Sequence, residues 1–239
     1  YIMERYKKGV KTNNPEPEFH FNEPVFNKSS KGKEVARSSE SIVEELKPIS
    51  ELHHEHPARI FVEQRRLPRS SYRDLFLCPR FYKYTNKLIP NKFPSLDGDH
   101  PRLLIPFRDE EGEVFAYQGR SFGNEQPKYL TIKLNESKNK IFGLDRIDKE
   151  KQIYVVEGPI DSLFLDNCIA VAGSDLNKIE GDLIIIFDNE PRNREIVKQI
   201  EKAINSGRNI VLWPESMKYK DINDMILGGY SKSEIQQII

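Results

Sequence analysis

The sequence predicts an α/β protein: a parallel-sheet domain preceded by a smaller, basic, mixed α+β subdomain. Three observations carry this expectation. The last ninety residues alternate short apolar strands with amphipathic helices, the rhythm of a parallel sheet. Leu183–Phe187 is an unbroken apolar, β-branched run, as in strands buried on both faces. Residues 57–150 hold 18 basic and 13 acidic side chains, whereas residues 151–239 hold 10 and 14, so a net charge of zero hides a basic middle and an acidic end.

In chain order, Tyr1–Val10 reads as the end of a helix. Residues 11–50 run through Asn13-Asn14-Pro15-Glu16-Pro17 and Lys28-Ser29-Ser30-Lys31-Gly32-Lys33 with little apolar periodicity, so residues 1–54 read as a largely irregular tail and linker. The basic subdomain is expected over 55–150. Ala58, Phe61, Val62 and Leu67 suggest a short helix ended by Pro68. Strands are expected at 103–107 and 114–118, around the turn Asp109-Glu110-Glu111-Gly112, and at Tyr129–Leu134.

The acidic domain is expected over 151–239. Gln152–Glu157 reads as a strand, Gly158-Pro159 opens a helix through Leu163 and Leu165, and Ile169–Ala172 is a strand closed by Gly173. Leu183–Phe187 follows, then a helix over Asn193–Ser206 with Ile196, Val197, Ile200, Ala203 and Ile204 on one face and Gly207 as its stop. Asn209–Trp213 is the last strand, and Asp221 is placed to cap a helix over Ile222–Leu227.

Composition narrows the function classes. No apolar run approaches the ~20 residues of a membrane helix. Cys78 and Cys168 lie far apart and cannot make a disulfide framework or, alone, a four-ligand zinc site, so a reducing cytoplasmic interior is expected. The chain opens at Tyr1 without a signal-peptide pattern, as a fragment of a longer protein would. No Gly-x-x-x-x-Gly-Lys-Ser/Thr motif is present, which argues against a helicase motor.

Ligands of an open parallel sheet gather at the carboxyl ends of its strands. Glu157 ends the first strand, Asp188 and Glu190 end the third, and Asp221 and Asp224 follow the fourth; the turn Gly173-Ser174-Asp175 lies after the second. Each carboxylate alone reads as a cap or turn residue. Together they repel unless a cation lies between them, and hard oxygen donors suit Mg²⁺ or Mn²⁺.

Glu157-Gly158-Pro159-Ile160-Asp161, Phe187-Asp188-Asn189-Glu190 and Lys220-Asp221-Ile222-Asn223-Asp224 resemble the three acidic signatures of the TOPRIM domain. Upstream, Arg102-Leu103-Leu104-Ile105-Pro106-Phe107-Arg108-Asp109, Gln118-Gly119-Arg120 and Pro127-Lys128-Tyr129-Leu130 resemble the basic subdomain of bacterial-type DNA primases. His56-Pro57-Ala58-Arg59 to Arg65-Arg66-Leu67-Pro68 looks like its first helix, and the wording is similar to primases of large tailed phages.

The resemblance implies catalytic and metal-binding roles for Glu157, Asp188 and Glu190, with Asp161 and Asp224 as auxiliary ligands of two or more Mg²⁺ or Mn²⁺ ions. Glu190 stands where the family carries Asp, which keeps the charge and adds a methylene. Arg120, Lys128, Lys140 and Lys220 are expected to hold nucleotide or DNA phosphates; Lys133 is a weaker match. The implied activity is synthesis of short RNA primers from ribonucleoside triphosphates on single-stranded DNA, beside a replicative helicase. A TOPRIM metal-dependent nuclease and a non-catalytic DNA- or helicase-binding module are the rival readings, and a topoisomerase fits less well. Family primases usually carry a zinc-binding module, yet no cysteine cluster is found, so no zinc site is expected in this chain. That module is expected upstream or on another chain. His53, His54 and His56, among Glu and Pro neighbours, read as a solvated cap rather than zinc ligands.

Overall fold

The computed structural model describes residues 42–173, 176, 179 and 181–239. The expected helix end at Tyr1–Val10, the linker to residue 41 and Ser174-Asp175 lie outside the described residues.

The basic half is built on a five-stranded antiparallel meander of β1 (Lys47–Pro48), β2 (Phe76–Cys78), β3 (Arg102–Arg108), β4 (Val114–Ser121) and β5 (Tyr129–Lys133), paired in that order. Strands β3, β4 and β5 lie where the sequence places them. Asp109 makes the β3–β4 turn: its carboxylate accepts the Glu113 N–H at 2.8 Å, and Gly112 takes φ +85°. β3 is buried on both faces, with Leu103, Ile105 and Phe107 in one apolar cluster and Leu104 in another. Two helices cover this sheet, α1 (Pro57–Gln64) and α2 (Phe81–Leu88). Gly119 is required by the second: a Cβ there would fall inside the Phe81 ring.

The first strand corrects the expected linker. Val43, Leu46 and Ile49 are buried, and Lys47–Pro48 pairs with Phe76 and Leu77, so ordered packing begins well before residue 55. The signal was the apolar spacing of Ile42, Val43, Leu46 and Ile49, masked by the interleaved Glu44, Glu45 and Lys47. His56 bears out the cap reading, since its Nδ1 accepts the Ala58 N–H at 3.1 Å at the start of α1.

The acidic half is a four-stranded parallel sheet in the order β7-β6-β8-β9, from β6 (Ile153–Val156), β7 (Cys168–Ala170), β8 (Leu183–Ile185) and β9 (Asn209–Ile210). α3 (Pro159–Ser162) follows β6 and α4 (Arg194–Asn205) links β8 to β9, while α5 (Ile222–Leu227) and α6 (Lys232–Ile238) close the chain. Asn193 caps α4 rather than opening it, and Gly207 takes φ +71° just past its end, the stop that the sequence predicts.

Helix α3 is a single turn rather than a helix reaching Leu165. The ladders of β8 and β9 are also shorter than the apolar runs. Ile186 N–H still donates to Val155 C=O (2.8 Å) and Val211 N–H to Ile185 C=O (2.9 Å), but Phe187, Asp188 and Trp213 lie beyond, at the rim. The strand order reverses at β6, whose neighbours β7 and β8 are reached in opposite directions. The crevice of such a sheet lies at that reversal, outside the ends of β6 and β8. One apolar cluster runs from Ile49, Val62 and Ile105 to Val156, Met225 and Ile235, joining the two sheets through a shared core.

Candidate active site

The reversal point carries the acidic residues. Glu157 follows β6 directly, and with Asp161, Asp188 and Asp221 it lines one small cavity floored by Val156, Ile186 and Phe187. Trp213 braces that floor by donating from Nε1 to the Phe187 carbonyl at 2.8 Å. Asp221 is both cap and rim residue, since its Oδ1 accepts the Asp224 N–H at 2.7 Å at the start of α5. Asp161 accepts the Asn223 N–H at 3.0 Å, which fixes the first turn of α5 against α3.

These carboxylates share more negative charge than their surroundings offset. Burial, then Glu157 and Asp221, pushes Asp188 up to about 6. Burial, then Asp221, pushes Asp161 up to about 7 despite its bond from Asn223. Asp224 is raised by the same two causes. Lys220 supplies part of the counter-charge, with Nζ 3.3 Å from Glu190 Oε1 and 3.8 Å from Asp188 Oδ2. Hard oxygen donors around a crevice with surplus negative charge fit a divalent cation of the Mg²⁺ class.

Beside the rim lies a basic cavity of about 530 Å³, lined by Phe61, Arg65, Arg120, Phe122, Lys128 and Leu227 among others. Arg120 is 3% exposed and lies over the Phe61 ring at 4.5 Å and the Tyr129 ring at 5.6 Å, and its buried Nε has no partner. The cations hold one another down. Burial, then Arg120, Arg65 and Lys220, keeps the exposed Lys128 ammonium below its usual range, and Arg65 adds to the lowering of Arg120 by burial. Such a cluster favours an anion.

The structure brings Glu157, Asp161 and Asp188 together and joins Glu190 to them through Lys220. Asp224 stands at the edge of the cavity rather than in its lining, and Asp221 takes that place. Arg120 and Lys128 share the basic cavity, whereas Lys140 lies after β5, outside its lining. Phe61 on α1 and Arg65, the residue that ends it, join the cavity; the sequence marks this place with an amphipathic helix closed by the pair Arg65-Arg66. His53, His54 and Glu55, all exposed at the turn before α1, bring their ligand atoms within 4.8 Å of one another.

No protein-family model matches the chain. The DNA primase of Enterobacteria phage T4 is 33% identical over 184 residues, covering 74% of this chain and 53% of that protein. This chain is a relative of the DNA primases. It spans about half the length of the phage T4 protein. Its fold is that of solved primase catalytic cores. A DNA primase domain from Pseudomonas aeruginosa superposes with a TM-score of 0.60 at 20% identity, over 83% of this chain and 76% of that one. A DnaG primase catalytic domain bound to single-stranded DNA gives 0.59 at 19% identity, over 84% and 76%. The primase-like fold puts the acidic rim on its parallel sheet and the basic cavity on the neighbouring meander. Among the described residues, no helix is long and apolar enough to cross a membrane.

Proposed function

We propose that this chain is the core of a DNA primase, a DNA-dependent RNA polymerase that lays short RNA primers on single-stranded DNA during replication. The observation that carries this reading is the adjacency of the two charged surfaces. Lys220 pairs with Glu190 and Asp188, and Arg65 of the basic cavity bonds Asn223, whose backbone N–H donates to Asp161 of the acidic rim, so the two charged surfaces adjoin.

In this reading Glu157, Asp188 and Glu190, with Asp161 and Asp224 beside them, would hold two or more Mg²⁺ or Mn²⁺ ions. Ions held there would supply a lowered pKa for the primer 3′-hydroxyl and positive charge opposite the transferring phosphoryl oxygens and the leaving pyrophosphate. The chain's own cations do the positioning. Arg120 and Lys128 hold phosphates of the nucleotide or template, with Lys220 at the boundary and Lys140 further along the strand's path. Phe61 and Tyr129 stiffen the Arg120 guanidinium by stacking, so it meets an anion with little rearrangement.

The proposal divides the chain into a basic primase-type subdomain, extended at its start to take in Val43, Leu46 and β1 and running to residue 150, and a TOPRIM catalytic domain over 151–239. It includes a replicative helicase as partner and a zinc-binding module upstream or on another chain. The site of action is the cytoplasm, the host's where a phage encodes the protein. The test is incubation with labelled ribonucleoside triphosphates, single-stranded DNA and Mg²⁺ or Mn²⁺. Short labelled RNA supports the reading. Nicked DNA without RNA would support a metal-dependent nuclease, and DNA binding without either product a non-catalytic module.

A further inference from the structure

Within the segment Asp221-Ile222-Asn223-Asp224 an amide stands among carboxylates, and its contacts explain why. Asn223 is 2% exposed. Its Oδ1 accepts from Arg65 Nη1 at 2.7 Å, and its Nδ2 donates to the Arg65 carbonyl at 2.8 Å. Its backbone N–H donates to Asp161 at 3.0 Å. A carboxylate at 223 would lose the donor that meets the Arg65 carbonyl and add charge beside Asp161 and Asp221. An apolar residue would leave both Arg65 groups unmatched.

The next residue points the same way. Arg66 takes φ +53°, an unfavourable conformation for a side-chain-bearing residue, and its Nη1 reaches the Ile226 carbonyl at 2.9 Å. The end of α1 is thus tied twice to α5, at Asn223 and at Ile226. Arg65 lines the basic cavity, while Asp161, held by the same asparagine's backbone, lines the acidic rim.

We propose that Asn223 is a positioning residue that sets Arg65, and with it the basic cavity, at a fixed distance from the acidic rim. The role rests on the primase reading, with the triphosphate of an incoming nucleotide as the anion that spans the two surfaces. Asn223 touches no substrate; it acts through Arg65.

The test is a double-mutant cycle read by ATP binding and by primer synthesis. Asn223→Ala should weaken ATP binding about tenfold and raise KM for the ribonucleotide more than it lowers kcat, as loss of a charged hydrogen bond would. Arg65→Ala should weaken ATP binding at least as much, and the double variant no more than Arg65→Ala alone. An Asn223 effect that persists undiminished beside Arg65→Ala, or ATP affinity within about twofold of the parent protein, would overturn the proposal. Should Asn223→Ala fail to fold, Arg65→Lys provides the second arm. It keeps the charge without the guanidinium geometry, so ATP affinity equal to the parent's overturns the clamp. A parent protein that binds ATP with the expected coupling but makes no RNA defeats the primase reading alone. One that makes RNA with additive variants defeats the clamp alone, and one that does neither defeats both.

Discussion

Lys220 and Glu190 form an ion pair at the mouth of the acidic rim, Nζ to Oε1 3.3 Å, and the same ammonium lies 3.8 Å from Asp188. Burial pulls Lys220 down, but Glu190, then Asp188 and Asp221, outweigh it and hold the ammonium above its usual value. Lys220 therefore acts as an internal counter-ion where a divalent cation would bind, and the two positive charges compete.

Replacing Lys220 by Met removes that competitor. One unit charge at contact distance in a half-exposed site is worth about 1 kcal/mol, so Mn²⁺ should bind about fivefold tighter to the variant. Nucleotide affinity should fall, since one of the cations facing the phosphates is gone. Mn²⁺ titration followed by electron paramagnetic resonance measures the first change. Unchanged or weaker Mn²⁺ binding would remove Lys220 from the rim's charge balance.

The carboxylates carry the opposite expectation. Asp188→Asn and Glu157→Gln should each lower primer synthesis by ~10²-fold or more, the usual scale for losing a principal charge-stabilising group. Single-stranded DNA binding should stay equal or tighten slightly, because a repulsive charge is removed. Synthesis rates beside fluorescence anisotropy of a labelled oligonucleotide check both halves. Full activity in both folded variants would mean that the metal is held elsewhere.

Much of this site was legible because the signals were local. The stop of α4 at Gly207, the cap at Asp221 and the strands β3 to β5 each follow from a few adjacent residues. β1 was missed because a two-residue edge strand has no period of its own and gains its place only by pairing with β2. Glu157, Asp161 and Asp188 were legible as carboxylates after strands, yet the substitution of Asp221 for Asp224 in the cavity lining depends on how α5 is rotated. What holds Arg65 in place was not legible at all. It depends on Asn223, 158 residues away, and a half-buried arginine carries no mark of such a partner.

The basic residues divide by burial. Arg120 is nearly inaccessible and stacked on Phe61 and Tyr129, so Arg120→Ala should both weaken phosphate binding and destabilise the protein by about 2 kcal/mol through lost packing. Lys128 is exposed, so Lys128→Ala should leave the melting temperature unchanged. If Lys128 contacts template phosphate, its loss should reduce the slope of log affinity against log salt by about 0.7. Oligonucleotide titrations at several salt concentrations measure this, and an unchanged slope would assign Lys128 to the nucleotide instead.

The raised carboxylates predict a pH dependence whose sign can be fixed. Asp188 lies at about 6 in the folded chain against an ordinary 3.8, so between these values the folded state holds more protons than the unfolded one. Stability is then lost as pH rises through this window, and above it the ionised Asp188 costs the fold about 2 kcal/mol after allowance for its partial exposure. Asp188→Asn cannot ionise. Without metal it should be more stable than the parent protein at about pH 8, with the difference vanishing near pH 4. Asp161→Asn should behave likewise over a window reaching about 7. Saturating Mg²⁺ should erase or reverse the advantage at high pH, because the ion stabilises the ionised parent and has lost a ligand in the variant. Urea midpoints across this pH range, with and without Mg²⁺, test the whole scheme. An Asp188→Asn variant less stable than the parent at about pH 8 in metal-free buffer would show that the rim's charges are already balanced without a cation.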